Sequence, residues 1–451
     1  MQLPKAFQQR MTSLLGDAAE AFFAAMEQPP VRALRINRIK AGVAAADTLC
    51  SFPITPLPYD ADGYIFTEER IGHTPLHHGG GIYVQDPGAM SAIAALPLEK
   101  GMRVADFCAA PGGKTTQIAT AIGESGILYA NEFVSSRAKI LVGNLERLGI
   151  TNAIVTSTDT ADYKKWFSAY FDAVVVDAPC SGEGMFRKNE EAIAEWSEEN
   201  VLRCAERQAE ILENAATTVK DGGYLLYSTC TFSLEENEKT VLRFLRTHPD
   251  YTLIPTDARI HPFTAEGISL PEAEGIPLQY CRRFYPHIAE GEGQFVALMQ
   301  RKTDDKQTIL CKDASIPLSK EENRIVEEFK KSTLNLPEDT VIRRIGDKVS
   351  ILKKEQCVPP RAVFMSGVCL GQIEKGRLVP HHQLFSAYGN RFLRKASLGE
   401  AEALRYLRGE ELASEGENGF CAVFFGPLAL GGGKIAGGRL KNHYPKGLRN
   451  P

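Results

Sequence analysis

Two cysteines stand where their chemistry could matter. Cys180 lies in Asp177-Ala178-Pro179-Cys180-Ser181-Gly182-Glu183-Gly184 and Cys230 in Ser228-Thr229-Cys230-Thr231. As thiolates such groups are nucleophiles suited to covalent catalysis. The chain has ten cysteines and none forms a Cys-x-x-Cys pair, so neither a zinc site nor a redox pair is suggested and no metal is expected. In a reducing compartment any one of them is by default a small buried hydrophobe, so a role must come from context.

A third segment, Cys108-Ala109-Ala110-Pro111-Gly112-Gly113-Lys114-Thr115, has the small residues that let a backbone approach a ligand at a helix N-terminus. A P-loop would need G-x-x-x-x-G-K-S/T, and Cys108 occupies the place of the first glycine. The G-x-G-x-x-G dinucleotide fingerprint is absent. A methyltransferase cofactor loop remains, and it calls for an acidic residue ending the second strand to hold ribose hydroxyls. Glu132 is there, 19 residues beyond Gly113. Asp159, ending the third strand, is placed to border the adenine.

The elements that must position these groups follow a β-α alternation from about 83 to 302. Strands are predicted at 103–107, 127–131, 153–157, 173–176 and 224–228. Helices are predicted at 114–122, 136–148 and 200–219, which implies a parallel sheet covered on both faces. Ligands of such sheets bind outside the carboxyl ends of the strands, so both cysteines, ending the fourth and fifth strands, face the crevice of the cofactor loop. Two buried structural thiols would explain either cysteine alone but fit the pair poorly.

Around this core, residues 1–82 combine a helical start with short strands and Pro-rich turns, and Thr303–Thr308 reads as a linker. A small mixed domain is expected over 309–380 and a compact β-rich module over 381–451. At 451 residues about three domains are expected, and 43% hydrophobic with 24% charged residues is the balance of a soluble globular protein. No apolar run is long enough to span a bilayer and the start is a poor signal peptide, so a cytoplasmic protein is expected. Net charge is −4, which does not advertise nucleic acid, yet residues 434–451 hold five basic and no acidic side chains. With no long heptad or apolar stripe, a monomer is expected.

The motifs CAAPGGKT, DAPCSGEG and YSTCT together resemble the Sun-family RNA cytosine-5 methyltransferases. GEGMFRK (Gly182–Lys188), RRFYPHIAEGEGQF (Arg282–Phe295) and KNHYPKGLR (Lys441–Arg449) look like the RsmF-type ribosomal RNA enzymes. The resemblance implies an α/β fold: a Rossmann-like class I methyltransferase core, a ferredoxin- or RRM-like α+β N-terminal domain and two small C-terminal domains, the last PUA-like. It also implies S-adenosylmethionine as cofactor, with Cys108, Ala109, Ala110, Pro111, Gly112, Gly113 and Lys114 around methionine and sugar. Glu132 would bind ribose, Asp159 the adenine end, and Asp177 the reacting centre. By the same resemblance Cys230 attacks carbon 6 of cytosine, Cys180 aids its release, Asp177 holds the base edge and Lys114 orients the base. The implied partner is ribosomal RNA or the small ribosomal subunit.

Arg32, Arg35, Arg38 and Lys40, with Lys434, Lys441, Lys446 and Arg449, are candidates for phosphate contact. Arg137 is expected on a helix surface, the other reading being that it reaches the cofactor or stabilises Glu132, and Trp196 is expected in the core. Transfer RNA as substrate and a non-catalytic ribosome-assembly factor are the rival readings. The second predicts decayed motifs, yet Lys114, Asp177, Cys180 and Cys230 are all present.

Overall fold

The computed structural model describes residues 3–303, 307–338 and 340–450; the middle of the expected linker, 304–306, lies outside them. The central sheet is built on five parallel strands: β1 (Arg103–Asp106), β2 (Ile127–Asn131), β3 (Ala153–Thr156), β4 (Phe171–Asp177) and β5 (Val219–Thr229). Their spatial order is β3-β2-β1-β4-β5, and β6 (Gln294–Arg301) adds antiparallel to β5. Ala173, Val174, Val175 and Val176 of β4 are fully buried, as a strand covered on both faces requires. The order reverses between β1 and β4, which opens the crevice where such sheets bind ligands.

The long helix predicted at 200–219 is Glu198–Ala216. Ser197 caps it, accepting from Asn200 N at 3.1 Å. At the other end the hydroxyls of Thr217 and Thr218 turn back to Asn214 O and Ala215 O, and Val219 leaves to open β5.

N-terminal to the core, four antiparallel strands lie in the order Ile54–Leu57, Asp60–Phe66, Ala33–Ile36, Ile82–Val84. With short helices between them this is the βαββαβ arrangement of ferredoxin-like domains. Its last strand runs to Val84, two residues past the boundary drawn at 82. The preceding helices, Lys5–Leu15 and Ala19–Met26, pack instead on the central α/β core: Phe7, Met11, Phe22 and Met26 cluster with Phe186, Trp196 and Phe232. Trp196 is therefore a core residue, 8% exposed.

The C-terminal pieces share a sheet edge with the core and apolar side chains with each other. Strand Val363–Ser366 pairs antiparallel with β3 and completes that edge of the central sheet. Ile325, Phe329, Val349 and Val368 share one apolar core with Leu384, Phe385, Phe424 and Ala429. The last module carries a five-stranded sheet in the order Lys395–Leu398, Gly419–Phe425, Leu428–Ala436, Arg439–Asn442, Leu412–Ala413. No helix among the described residues is long and apolar enough to cross a membrane.

Candidate active site

β1 delivers its chain into Phe107–Gly112, and helix Gly113–Ile122 begins at once. Gly112 takes φ +115°, a conformation that disfavours side chains, and a Cβ there would press within 3.0 Å of Leu141. Arg137 Nη2 donates to Ala110 O at 2.9 Å and Asn144 Nδ2 to Pro111 O at 2.9 Å, so the helix after β2 fastens the loop. Arg137 also lies 3.6 Å from Glu132 while its side chain stays half exposed, so this helix-surface arginine has the Glu132 contact that the other reading expected.

A cavity of about 640 Å³ opens over the strand ends and is lined by Cys108, Ala110, Glu132, Asp159, Asp177 and Cys230 among others. Glu132 is 3% exposed; its Oε1 accepts from Val134 N at 3.0 Å, while Oε2 has no partner among the described residues. Asp159 caps helix Thr160–Trp166 by accepting from Ala161 N, and lies beyond the end of β3 rather than in it. Phe133, 70% exposed, adds an aromatic face at the rim. A second cavity of about 230 Å³ shares Cys108, Ala110 and Asp177 and is lined further by Ala109, Pro111, Gly113 and Lys114.

The two cysteines meet beside the larger cavity, whose wall includes Cys230. Cys180 Sγ and Cys230 Sγ are 3.2 Å apart. Lys114 Nζ donates to Asp177 Oδ2 at 2.8 Å, and Ser228 Oγ to Asp177 Oδ1 at 2.7 Å. Buried carboxylates hold the two cysteine loops together. Glu183 accepts from Thr231 Oγ1 at 2.9 Å, Phe232 N at 2.9 Å, Ser233 Oγ at 2.7 Å and Trp196 Nε1 at 2.9 Å. Glu236 accepts from Ser181 N at 2.9 Å, Ser181 Oγ at 2.5 Å and Gln208 Nε2 at 2.8 Å. Gly184 N donates to Cys230 O at 2.9 Å, and a Cβ on Gly184 would meet Gly293 O at 2.8 Å. Only glycine lets these loops approach so closely.

These contacts set the charge states. The contact with Cys230, then burial, pushes the Cys180 thiol well up, so Cys180 keeps its proton. Burial and the carboxylates of Asp106, Asp177 and Glu132 do the same to Cys108, which makes it a wall of the cavity and not a nucleophile. Burial pulls Lys114 down, but Asp177 and the Cys230 sulfur outweigh it and raise it, so it remains an ammonium. Burial pushes Asp106 up to about 7, against the hydrogen bond from Thr115.

The other predicted side chains are scattered. Arg35 does not offer its guanidinium to phosphate: it is 5% exposed and donates to Gln85 Oε1, Gly113 O and Thr116 Oγ1. Lys40 is likewise inward, donating to Ser386 O, Ser386 Oγ and Ala429 O. Arg38 pairs with Asp62 at 2.6 Å, and Arg32 lies 4.8 Å over the Phe66 ring. Lys434, Lys441 and Lys446 are exposed, whereas Arg449 is half-buried and turned to Tyr444 O. Lys434 sits between Phe420 and Lys441 as direct cross-strand neighbours, one aromatic and two cations in a row. Sequence reasoning missed Glu183, Glu236, Gln85 and Asp106. Glu183 stood inside a quoted motif, and Asp106 ends a strand as Asp177 does.

Comparison with known proteins bears on the fold and the family. The profile of the 16S rRNA methyltransferase RsmB/F family matches residues 93–300, that of the N-terminal domain of 16S rRNA methyltransferase RsmF matches 3–87, and that of the methyltransferase RsmF PUA domain matches 394–450. The chain is 32% identical over 453 residues to a ribosomal RNA small subunit methyltransferase F of Enterobacter sp., covering 95% of this chain and 92% of that protein. It is 29% identical to the protein of the same name from Vibrio cholerae, covering 99% and 98%. A solved methyltransferase homologue from Pyrococcus horikoshii superposes with TM-score 0.57 at 29% identity, covering 66% of this chain and 95% of that one. The structure of NSun6 from the same organism shares the fold, with TM-score 0.57 at 20% identity over 67% of this chain and 99% of that one. The fold, the three profile matches and the full-length relatives agree: the chain belongs to the RsmF family of 16S rRNA methyltransferases.

Proposed function

We propose that this protein transfers a methyl group from S-adenosylmethionine to carbon 5 of cytosine in 16S ribosomal RNA, with Cys230 as the nucleophile. The observation that carries this reading is the contact of Cys230 with Cys180 and of Lys114 with Asp177, around two cavities whose walls share Asp177. S-adenosylmethionine supplies an electrophilic methyl group on a sulfonium. The cavity suits it: Glu132 would hold the ribose hydroxyls, Asp159 would border the adenine, and Asp177 would lie by the reacting methyl group, all three being lining residues.

Carbon 5 of cytosine is too electron-poor to accept a methyl group unaided. The Cys230 thiolate adds to carbon 6, forming the S–C6 bond and making carbon 5 nucleophilic. Lys114 holds positive charge beside the sulfur and orients the base, and Asp177 engages the base edge near N3 and the exocyclic amine. After methylation a solvent water takes the carbon 5 proton, the C5–C6 double bond re-forms, and the S–C6 electron pair leaves with the Cys230 sulfur as a thiolate. Cys180, held as a thiol 3.2 Å from Cys230, is placed to stabilise the departing thiolate by donating a hydrogen bond to it. A base inside a duplex hides carbon 6, so the target is single-stranded or flipped out.

Bisulfite mapping of ribosomal RNA with and without the protein tests the reading. A protected cytosine in 16S RNA that depends on Cys230 supports it; methylation confined to transfer RNA, or undiminished in Cys230→Ala, refutes it. Cys180→Ala should accumulate a protein–RNA adduct, seen as a slow band on a denaturing gel, and absence of the adduct would leave Cys180 a packing residue.

A further inference from the structure

The smaller cavity has a wall that does not come from the catalytic domain. Strand Ile82–Val84 of the N-terminal sheet runs against the cofactor loop, and Tyr83, Gln85 and Asp86 line the space opposite Lys114 and Asp177. Gln85 is the unusual member. It is 8% exposed, and its backbone N donates to Ala33 O at 3.0 Å, fixing the main chain. Arg35 Nε donates to Gln85 Oε1 at 2.9 Å, and Arg35 is itself anchored on Gly113 O and Thr116 Oγ1. That contact sets which way the amide faces: the oxygen is turned to the guanidinium and the NH2 is turned away from it. The Nε2 donor is buried and has no hydrogen-bond partner among the described residues. A buried donor without an acceptor is destabilising, so its persistence calls for a partner that arrives with a ligand.

We infer that Gln85 is a specificity-determining residue that donates from Nε2 to the 2-carbonyl oxygen of the target base, with Arg35 as the positioning residue that holds its amide. The inference rests on the cytosine chemistry proposed above. The base edge then meets an acceptor, Asp177, on the side of the exocyclic amine and a donor, Gln85, on the side of the 2-carbonyl. The N-terminal sheet thereby reads the base directly. Arg35, whose charge suggested phosphate contact, serves the pocket from inside the fold.

The test is a cycle of variant against substrate, using an RNA fragment that carries the mapped cytosine or 2-thiocytidine, whose sulfur is a weaker acceptor. Wild-type kcat/KM should fall about tenfold on 2-thiocytidine. Gln85→Met should lose about tenfold on cytidine and little more on 2-thiocytidine, with KM for S-adenosylmethionine within twofold of wild type. Gln85→Glu keeps the length and the contact with Arg35 but turns an acceptor toward the carbonyl, so it should lose more than Gln85→Met. It also serves if the Met variant fails to fold. Losses that multiply across the cycle, a wild type indifferent to the sulfur, or either variant within twofold of wild type on cytidine would overturn the inference and leave the donor to a bridging water toward Asp106, whose Oδ1 is also unpartnered. Failure of the cytosine reading itself would show separately, as absence of carbon 5 methylation by the wild type.

Discussion

Replacing Gly184 by alanine probes how closely the two cysteine loops must approach. The new Cβ would lie 2.8 Å from Gly293 O and 2.9 Å from both Cys230 O and Gly293 Cα, whereas ordinary contact begins near 3.4 Å. All three neighbours are backbone, so no side chain can swing aside. The loops must part by roughly half an ångström, and the hydrogen bond from Gly184 N to Cys230 O is stretched with them. Such overpacking costs about 1–3 kcal/mol, a drop of several degrees in melting temperature. The catalytic loss should be larger, because a misplacement of this size in a reacting group lowers turnover roughly 10- to 100-fold. Single-turnover methyl transfer with saturating cofactor, beside thermal melting and cofactor titration, separates the two effects. Cofactor affinity should hold within about twofold, since Gly184 does not line the cavity that holds Glu132. Wild-type turnover with an unchanged melting temperature would refute the claim that only glycine lets these loops approach so closely.

Other consequences can be checked directly. Glu132→Ala should weaken S-adenosylmethionine binding roughly 10- to 100-fold by calorimetry while leaving RNA affinity unchanged. Burial pushes Glu236 up to about 7, so the folded state keeps a proton that the unfolded chain has released; its contribution is full below about 4.5 and lost as pH rises through about 7. Melting temperature should therefore fall between pH 5 and 8, by an upper bound of roughly 3 kcal/mol from this group, and Glu236→Gln should flatten the slope without abolishing it, because Asp106 is raised in the same way. The double variant Lys434→Gln and Lys441→Gln should reduce the salt dependence of RNA binding by about 1 to 2 in the log–log slope; an unchanged slope would place the phosphate contacts elsewhere.

The core was legible because its signals are local. The apolar run Ala173–Val176, glycines ahead of a helix, and Glu132 and Asp177 at strand ends are readable from short stretches of sequence. The central five strands follow from them. What was not legible depends on distance along the chain. Arg35 has the same composition signal as a phosphate-binding arginine, and only its approach to Gly113 and Thr116, some 80 positions away, makes it internal. Lys40 turns inward to Ser386 and Ala429, partners that no local pattern reveals. Nothing in the neighbouring sequence marks Glu183 and Glu236 as buried, yet burial with several donors each converts them into ties between loops.

Strand Val363–Ser366 also has a consequence for how the chain is made. β3 leaves the ribosome about two hundred residues before the segment that pairs with it. Until then Ala153–Thr156 presents bare amides and carbonyls along one border, an invitation to pair with a neighbouring nascent chain. Fragments ending before residue 363 would carry that border permanently. They should self-associate even though every motif of the reaction is present, and their inactivity would then report on assembly rather than on chemistry.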